Sequence, residues 1–337
     1  MVPNPFTVGQ SVKSDRFIGR TTELASAFDQ ISAQGNLALW GSPGIGKSSF
    51  LNVLADPQAW QVRGYDPTGA VIIRLSCLDI VPFSSTAFWT EVITQIKDYA
   101  DNSEVRQEAQ MALNQGNTNK DGLRQVLREL GKRNRYLVLL LDDYDNAIRP
   151  QPGYDDNAIA SFVSDCRNLC SHARESQYLS MVLTTLRRLN ELGPKLRPGS
   201  SPWYNHYLFL PIKTFNDNEV SALLGDINFL MTPDLRDGIR EMTNGHPALI
   251  QSAGNLLHRE LRQHLPAGKP PNPHAFAEDF RTMTLHLYDS AWNLSTGVEQ
   301  SLMMLVALVN LKGKLQGKRY DLGDLDVIFS QKERELS

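Results

Sequence analysis

The chain has 337 residues, enough for two or three domains, and its 41% hydrophobic and 21% charged content is ordinary for a folded globular protein. A formal net charge of −3 excludes any global electrostatic demand for nucleic acid or a membrane surface, and three cysteines exclude a disulfide framework. The N-terminus, Met1-Val2-Pro3-Asn4-Pro5-Phe6, lacks the basic and apolar regions of a signal peptide, and the apolar stretch near Leu302 to Leu311 is too short to span a bilayer, so a cytoplasmic protein with no membrane partner is expected.

The first predicted element is an amphipathic helix over 21–33, with Leu24, Ala27, Phe28 and Ile31 on one face. A short apolar strand over 36–41 follows. It leads into Gly41-Ser42-Pro43-Gly44-Ile45-Gly46-Lys47-Ser48, a complete G-x-x-x-x-G-K-[ST] phosphate loop, and then a helix over 47–55. Strand, glycine loop and helix form the context in which this pattern has a mechanism. The glycines open backbone angles closed to residues with a Cβ, so that loop amides and the helix N-terminus can surround phosphate oxygens. Lys47 adds a positive charge between the β- and γ-phosphates, and Ser48 a hydroxyl for Mg²⁺. Residues 41–48 together with Ser49 are the expected nucleotide cradle.

Residues 56–70, with Pro57, Gly64, Pro67 and Gly69, read as a loop before a strand over 71–77. Helices are predicted over 87–100 and 104–130. The second carries part of a basic stretch, Arg124, Arg128, Lys132, Arg133 and Arg135, read as a solvated face in preference to a nucleic-acid contact. The run Tyr136 to Leu141 is wholly apolar, as suits a strand buried on both faces of a parallel sheet, and it ends in Asp142-Asp143-Tyr144-Asp145. Carboxylates at the C-terminal end of such a strand lie where ligands bind in open α/β sheets. Asp142 is the candidate metal-holding residue and Asp143 the candidate to polarise an attacking water. Asp145 is read as a solvated loop residue in preference to a further acidic contact. In the helix predicted over 157–173, Cys166, Cys170 and His172 have metal-like spacing but no fourth ligand, and the two cysteines read as buried helix residues. Strands follow over 179–185 and 206–211, with an irregular, proline-rich segment at 194–203 between them.

After Pro211 the strand signals cease. Helices are expected over 216–226, 232–244, 247–262, 273–290 and 297–310, giving three regions: an α/β domain over 1–212, a helical domain over 213–292 and a further region over 293–337. In Thr243-Asn244-Gly245-His246-Pro247, Asn and Gly can close one helix and Pro247 can open the next. A second basic stretch, Lys312, Lys314, Lys318 and Arg319, reads as a solvated surface.

Alternating strands and helices around the phosphate loop define a P-loop NTPase with a parallel five-stranded sheet flanked by helices. Several segments in order resemble the AAA+ ATPases, and within them the STAND class, the signal-transduction ATPases with numerous domains. Phe17-Ile18-Gly19-Arg20 resembles the family's opening, and the upstream Asn4-Pro5-Phe6 and Val8-Gly9 resemble that of prokaryotic signalling members. The resemblance implies that Phe17, Ile18 and Arg20 lie over the base. Met181 to Arg188 resembles the family's sensor strand, which implies a role for Thr185 and Arg187 beside the γ-phosphate. An extra Leu186 leaves open whether Arg187 or Arg188 takes it. Gly245-His246-Pro247 resembles the lid motif, implying that His246 and Pro247 close on the nucleotide. Leu294 to Leu302 resembles the start of a winged-helix domain, incomplete at Ser337; the chain is then either a minimal member acting with separate partners or a piece of a larger protein.

The function so implied is a Mg²⁺-dependent, slow ATPase acting as a molecular switch. ATP and ADP are its ligands, with self-assembly and a separate effector or sensor as its interactions. The alternative is an AAA+ regulator assembling on nucleic acid, similar to origin-recognition or transposition-regulator ATPases. The lid motif and near-neutral charge favour the switch.

Overall fold

The five apolar segments of the N-terminal half form one parallel sheet in a computed structural model that describes residues 4–196, 199, 201–225, 233–264 and 272–311. The first helix, α1 (Thr21–Ser32), buries Leu24, Ala27, Phe28 and Ile31, as its periodicity requires. Strand β1 (Asn36–Trp40) leads to α2 (Lys47–Ala55). Strands β2 (Ala70–Ser76), β3 (Tyr136–Asp142), β4 (Leu179–Thr185) and β5 (Tyr207–Pro211) complete a sheet of order β2-β3-β4-β1-β5, every pair parallel. Each predicted strand is present, with ends moved by one residue at most.

Side-chain parity divides the sheet into two cores. Val138, Leu140, Val182, Leu37 and Leu39 pack with α1, α2 and α3 (Pro57–Val62) on one face. On the other face, Leu137, Leu139, Leu141, Val71, Ile73 and Leu75 pack with α4 (Ser85–Tyr99), α5 (Ser103–Asn114), α6 (Lys120–Gly131) and α7 (Asp156–Arg167). Successive strand residues point to opposite faces. Asp142, Thr184 and Arg74 therefore share the α2 face, and this parity assembles the site described below.

Three sequence expectations are corrected. The loop expected over 56–70 contains α3, because the Asp56 side chain accepts from Gln58 N–H and Pro57 fits the first turn. The single helix expected over 104–130 is two, since Gly116 takes φ 67° and Asn119 caps α6 through the N–H groups of Asp121 and Gly122. The helix expected over 157–173 is α-helical only to Arg167 and continues as a π-turn over Asn168–His172.

Beyond β5 lie α8 (Asp217–Leu223), opened by a reciprocal cap between Asn216 and Glu219, then α9 (Pro233–Thr243), α10 (Pro247–His264) and α11 (Pro273–Leu294). Phe6 packs with Val220, Leu249, Ile250, Ala253 and Phe280 in a third core. The chain divides into two compact units between Leu287 and Tyr288, within α11. In the second, α12 (Gly297–Leu311) is preceded by Thr296, whose N–H and hydroxyl donate to Glu299. The remainder of the winged-helix expectation, with Lys312, Lys314, Lys318 and Arg319, lies outside the described residues. Among those described, no helix is long and apolar enough to cross a membrane.

Candidate functional site

The phosphate loop leaves β1 at Trp40, with Gly41 N–H donating to Thr185 O at 3.2 Å. Gly44 and Gly46 adopt φ of 75° and 102°, angles that strain any residue with a Cβ, and Gly46 caps α2. Lys47 is buried, and its Nζ donates to Gly41 O at 2.6 Å and Ser42 O at 3.1 Å, across the base of the loop. Burial pushes the Lys47 pKa down, while Asp145, Asp142 and Asp143 oppose the shift. The ammonium is thus desolvated but surrounded by carboxylates that favour its charge.

Asp142 ends β3 and is 4% exposed. Its Oδ1 accepts from Thr184 Oγ1 at 2.7 Å, and its Oδ2 pairs with Arg74 at 3.0 Å. Asp143 turns the chain at φ 52°. Its N–H donates to Thr184 Oγ1 at 3.2 Å, and its Oδ2 accepts from Ser76 Oγ at 3.1 Å. Burial, followed by repulsion from Asp142, raises its pKa above the usual carboxylate range. Asp145 corrects the sequence expectation. It is not a solvated loop residue: both its oxygens accept from Leu186 N–H at 3.1 Å, and burial raises its pKa. It fastens the turn after β4 to the turn after β3.

A cavity of about 440 Å³ opens over the loop. Phe17, Ile18 and Arg20 line one side, Pro43 to Ser49 and Asp143 the floor, and Pro247, Ala248, Gln251 and Ser252 of α10 another side. Arg20 is 3% exposed and works as a clasp. Its Nη2 donates to Ile45 O at 2.8 Å, its N–H donates to Glu219 Oε1 at 2.6 Å, and its guanidinium lies 4.9 Å from the Phe215 ring centre. His246 Nε2 sits 3.1 Å from Pro43 O. A carbonyl only accepts, so Nε2 carries the proton. The His246 Nδ1 is buried and has no partner among the described residues, and burial lowers its pKa, favouring the neutral ring.

The sensor segment is turned toward its own loop. Thr185 is buried and donates to Arg187 O at 2.6 Å; Arg187 lies 3.7 Å from Glu191; Arg188 lies 4.9 Å from the Trp40 ring centre. The expected γ-phosphate contacts of Thr185 and Arg187 thus find no counterpart in the cavity lining. Sequence reasoning missed the segment Thr7 to Val12, which lines the cavity, and Arg74, Ser76 and Asn52, which hold the carboxylates and that segment. Arg74 did carry a signal: it is the one charge in β2, two residues before Ser76, the position paired with Asp142.

The other expected clusters resolve into packing. Cys166 and Cys170 are buried, and no His/Cys/Asp/Glu group among the described residues is arranged to hold a metal. Arg124 and Arg128 pair with Glu175, and Lys132 and Arg133 with Glu129.

The donor set fits a nucleoside triphosphate with a divalent cation: a helix N-terminus, a desolvated lysine, a hydroxyl at Ser48 and a carboxylate at Asp143 around one cavity, with Asp142 buried at the adjoining end of β3 outside its lining. The sequence matches the AAA ATPase domain family over residues 16–186. The chain therefore belongs to the AAA ATPase domain family, and is a P-loop nucleotide-binding ATPase. Comparison with curated proteins finds no match. Among solved structures, the fold is similar to a Walker-type ATPase of Pyrococcus abyssi, at 13% identity and a TM-score of 0.55, covering 92% of this chain and 80% of that one. It is similar to Drosophila ORC bound to DNA, at 12% identity and a TM-score of 0.52, covering 91% and 71%. A STAND protein with a tetratricopeptide repeat sensor from Pyrococcus horikoshii aligns at 17% identity and a TM-score of 0.46, covering 83% of this chain and 34% of that one. At such identities the first two likenesses show a shared fold.

Proposed function

We propose that the protein is a slow, Mg²⁺-dependent ATPase whose nucleotide state sets the disposition of its helical region, and through it self-assembly or engagement of a separate cytoplasmic effector or sensor. The observation that carries this reading is that the phosphate loop and the first turns of α10 line one cavity. A Cβ built on Gly44 would lie 2.8 Å from Ala248 Cβ, so loop and α10 touch without slack. A ligand on the loop must therefore meet α10, and differential contacts with it are what can bias a two-state element. In this reading residues 1–212 bind nucleotide, 213–292 form the lid and 293–337 belong to a winged-helix-like region.

Gly41 to Ser49 would cradle the phosphates, with Lys47 neutralising their charge, while Phe17, Ile18 and Arg20 flank the base and His246 and Pro247 close over it. Ser48 and Asp142 would hold Mg²⁺, which supplies charge neutralisation at phosphate oxygens when bound. Asp143 is the base. Its raised pKa suits it to take a proton from the water that attacks the γ-phosphorus as the bond to the β-phosphate oxygen breaks. Arg187, or Arg188 beside it, would have to leave its present loop to meet the γ-phosphate. The test is small-angle scattering on Asp143→Asn, which should bind ATP without turning it over. ATP should give an assembled or open form and ADP a compact one. The same size and shape in both states would remove the switch.

A second reading, an AAA+ regulator assembling on nucleic acid, is supported by the fold shared with Drosophila ORC, which was solved bound to DNA. Retention on duplex DNA that falls steeply with salt would favour it, because phosphate contacts release counterions.

A further inference from the structure

Arg74 is the residue of this site that neither the phosphate loop nor the strand's packing accounts for. β2 is an edge strand, and Val71, Ile73 and Leu75 supply its buried face. The intervening position on the α2 face needs only a residue that suits a half-buried pleat, a role valine or threonine fills without charge. An arginine stands there instead, and its guanidinium joins two partners. Nη2 pairs with Asp142 Oδ2 at 3.0 Å, and Nη1 donates to Asn52 Oδ1 on α2. Asn52 in turn donates from Nδ2 to Val12 O at 2.7 Å and Ser11 Oγ at 3.2 Å. Val12 N–H donates to Ser49 Oγ at 3.1 Å, and Thr7 N–H to Gln251 Oε1 on α10 at 2.9 Å. One hydrogen-bonded chain thus runs from the Asp142 carboxylate to Ser11 and Val12, at the end of the 7–12 segment that lines the cavity.

Asp142 has both oxygens engaged, one by Thr184 and the other by Arg74. A carboxylate oxygen already neutralised by a guanidinium is a poorer ligand for a divalent cation, which must share or displace that partner. Resting on the nucleotide reading above, we infer that Arg74 is a positioning residue that competes with the divalent cation for Asp142 and, through Asn52, couples cation loading to the 7–12 segment beside the bound nucleotide. When the cation takes Asp142, Arg74 loses its anionic partner and Asn52 its fixed acceptor geometry. By linkage, whatever holds the segment down then opposes cation loading to the same extent.

The probes are Mg²⁺ and a non-hydrolysable ATP analogue, with binding followed by calorimetry from micromolar to millimolar Mg²⁺. In Arg74→Gln the Mg²⁺ concentration that half-supports analogue binding should fall about tenfold relative to wild type. Hydrogen exchange at the amides of Thr7 and Val12 should respond to Mg²⁺ in the wild type and lose that response in Arg74→Gln. Asn52→Ala keeps the Arg74–Asp142 pair and removes only its link to the segment, so its Mg²⁺ midpoint should fall by less than in Arg74→Gln while the exchange response disappears. This second variant keeps the test open if Arg74→Gln does not fold. An unchanged midpoint in Arg74→Gln overturns the competition. A higher midpoint overturns it too, because Arg74 would then be a phosphate ligand. A Mg²⁺-dependent exchange response that persists in Asn52→Ala overturns the coupling. Absence of analogue binding by the wild type at every Mg²⁺ concentration would instead overturn the nucleotide reading, and this inference with it.

Discussion

At the scale of single residues, the site is a balance of buried charge. Lys47 lies within the influence of three aspartates, and Asp142, the most enclosed of them, has an arginine of its own. A buried ammonium removed from such a set leaves carboxylates and phosphates facing one another with nothing between them. Lys47→Ala should therefore lose about 2–5 kcal/mol of nucleotide affinity, roughly a 30-fold or greater rise in Kd. Titration calorimetry checks it, and an unchanged Kd would remove the lysine from the phosphate site. The phosphate loop was legible at this scale because its chemistry is local: eight consecutive residues carry the pattern. Arg74, Ser76 and Asn52 were not, because their partners lie 68, 67 and 40 positions away in the chain and are met only across strands, across helices or at the segment ending in Val12. Asp145 failed for the same reason. Nothing near it in sequence announces that Leu186 N–H will sit opposite.

At the scale of elements, the contact that matters is the one between the phosphate loop and the N-terminus of α10. Gly44 has φ 75°, and a Cβ there would meet Ala248 Cβ at 2.8 Å and Leu287 Cδ2 at 3.2 Å. The leucine can rotate away, whereas the alanine Cβ is fixed to its helix. Gly44→Ala should cost on the order of 1–3 kcal/mol from backbone strain, with a further loss from pushing α10 off the loop. Thermal unfolding measures the total. The pair Gly44→Ala with Ala248→Gly separates the two parts, since it relieves the overlap and leaves the strain. Full additivity of the two substitutions would mean that loop and helix do not press on each other. Elements themselves were well marked in the sequence where hydrophobic periodicity was long, as in α1 and β3. They were misjudged where a side-chain cap decided the outcome, as Asn119 did in splitting α5 from α6.

At the scale of the whole molecule, stability gathers contributions from groups far from the cavity. His206 packs at a tilt of 39° against Tyr207, with ring centres 4.1 Å apart, and neither ring nitrogen has a partner among the described residues. Burial, aided by Arg167 and His172, lowers its pKa from 6.5 to about 4. Because the folded value is the lower one, the unfolded chain takes up the proton first as pH falls. The contribution of neutral His206 is complete above pH 6.5 and is lost progressively between 6.5 and about 4. Denaturant unfolding of wild type and His206→Phe across that range should show the phenylalanine variant losing less stability toward the acid end. Parallel curves would show that His206 titrates alike in both states.

The chain by itself determined that five buried strands alternate with helices around a phosphate loop, and that a helical region follows. Those features rest on periodicity, glycine and proline, and each is written in neighbouring residues. The strand order, and with it the separation of the loop from Asp142 by β4, was decided only by the assembled sheet. So was the company Asp142 keeps. Strand parity places Arg74, Asp142 and Thr184 on one face, but only parallel pairing in register brings the side chains of β2, β3 and β4 within hydrogen-bonding distance. That registry is set by burial on both faces of the sheet, an energy that belongs to the folded whole and to no single stretch of sequence.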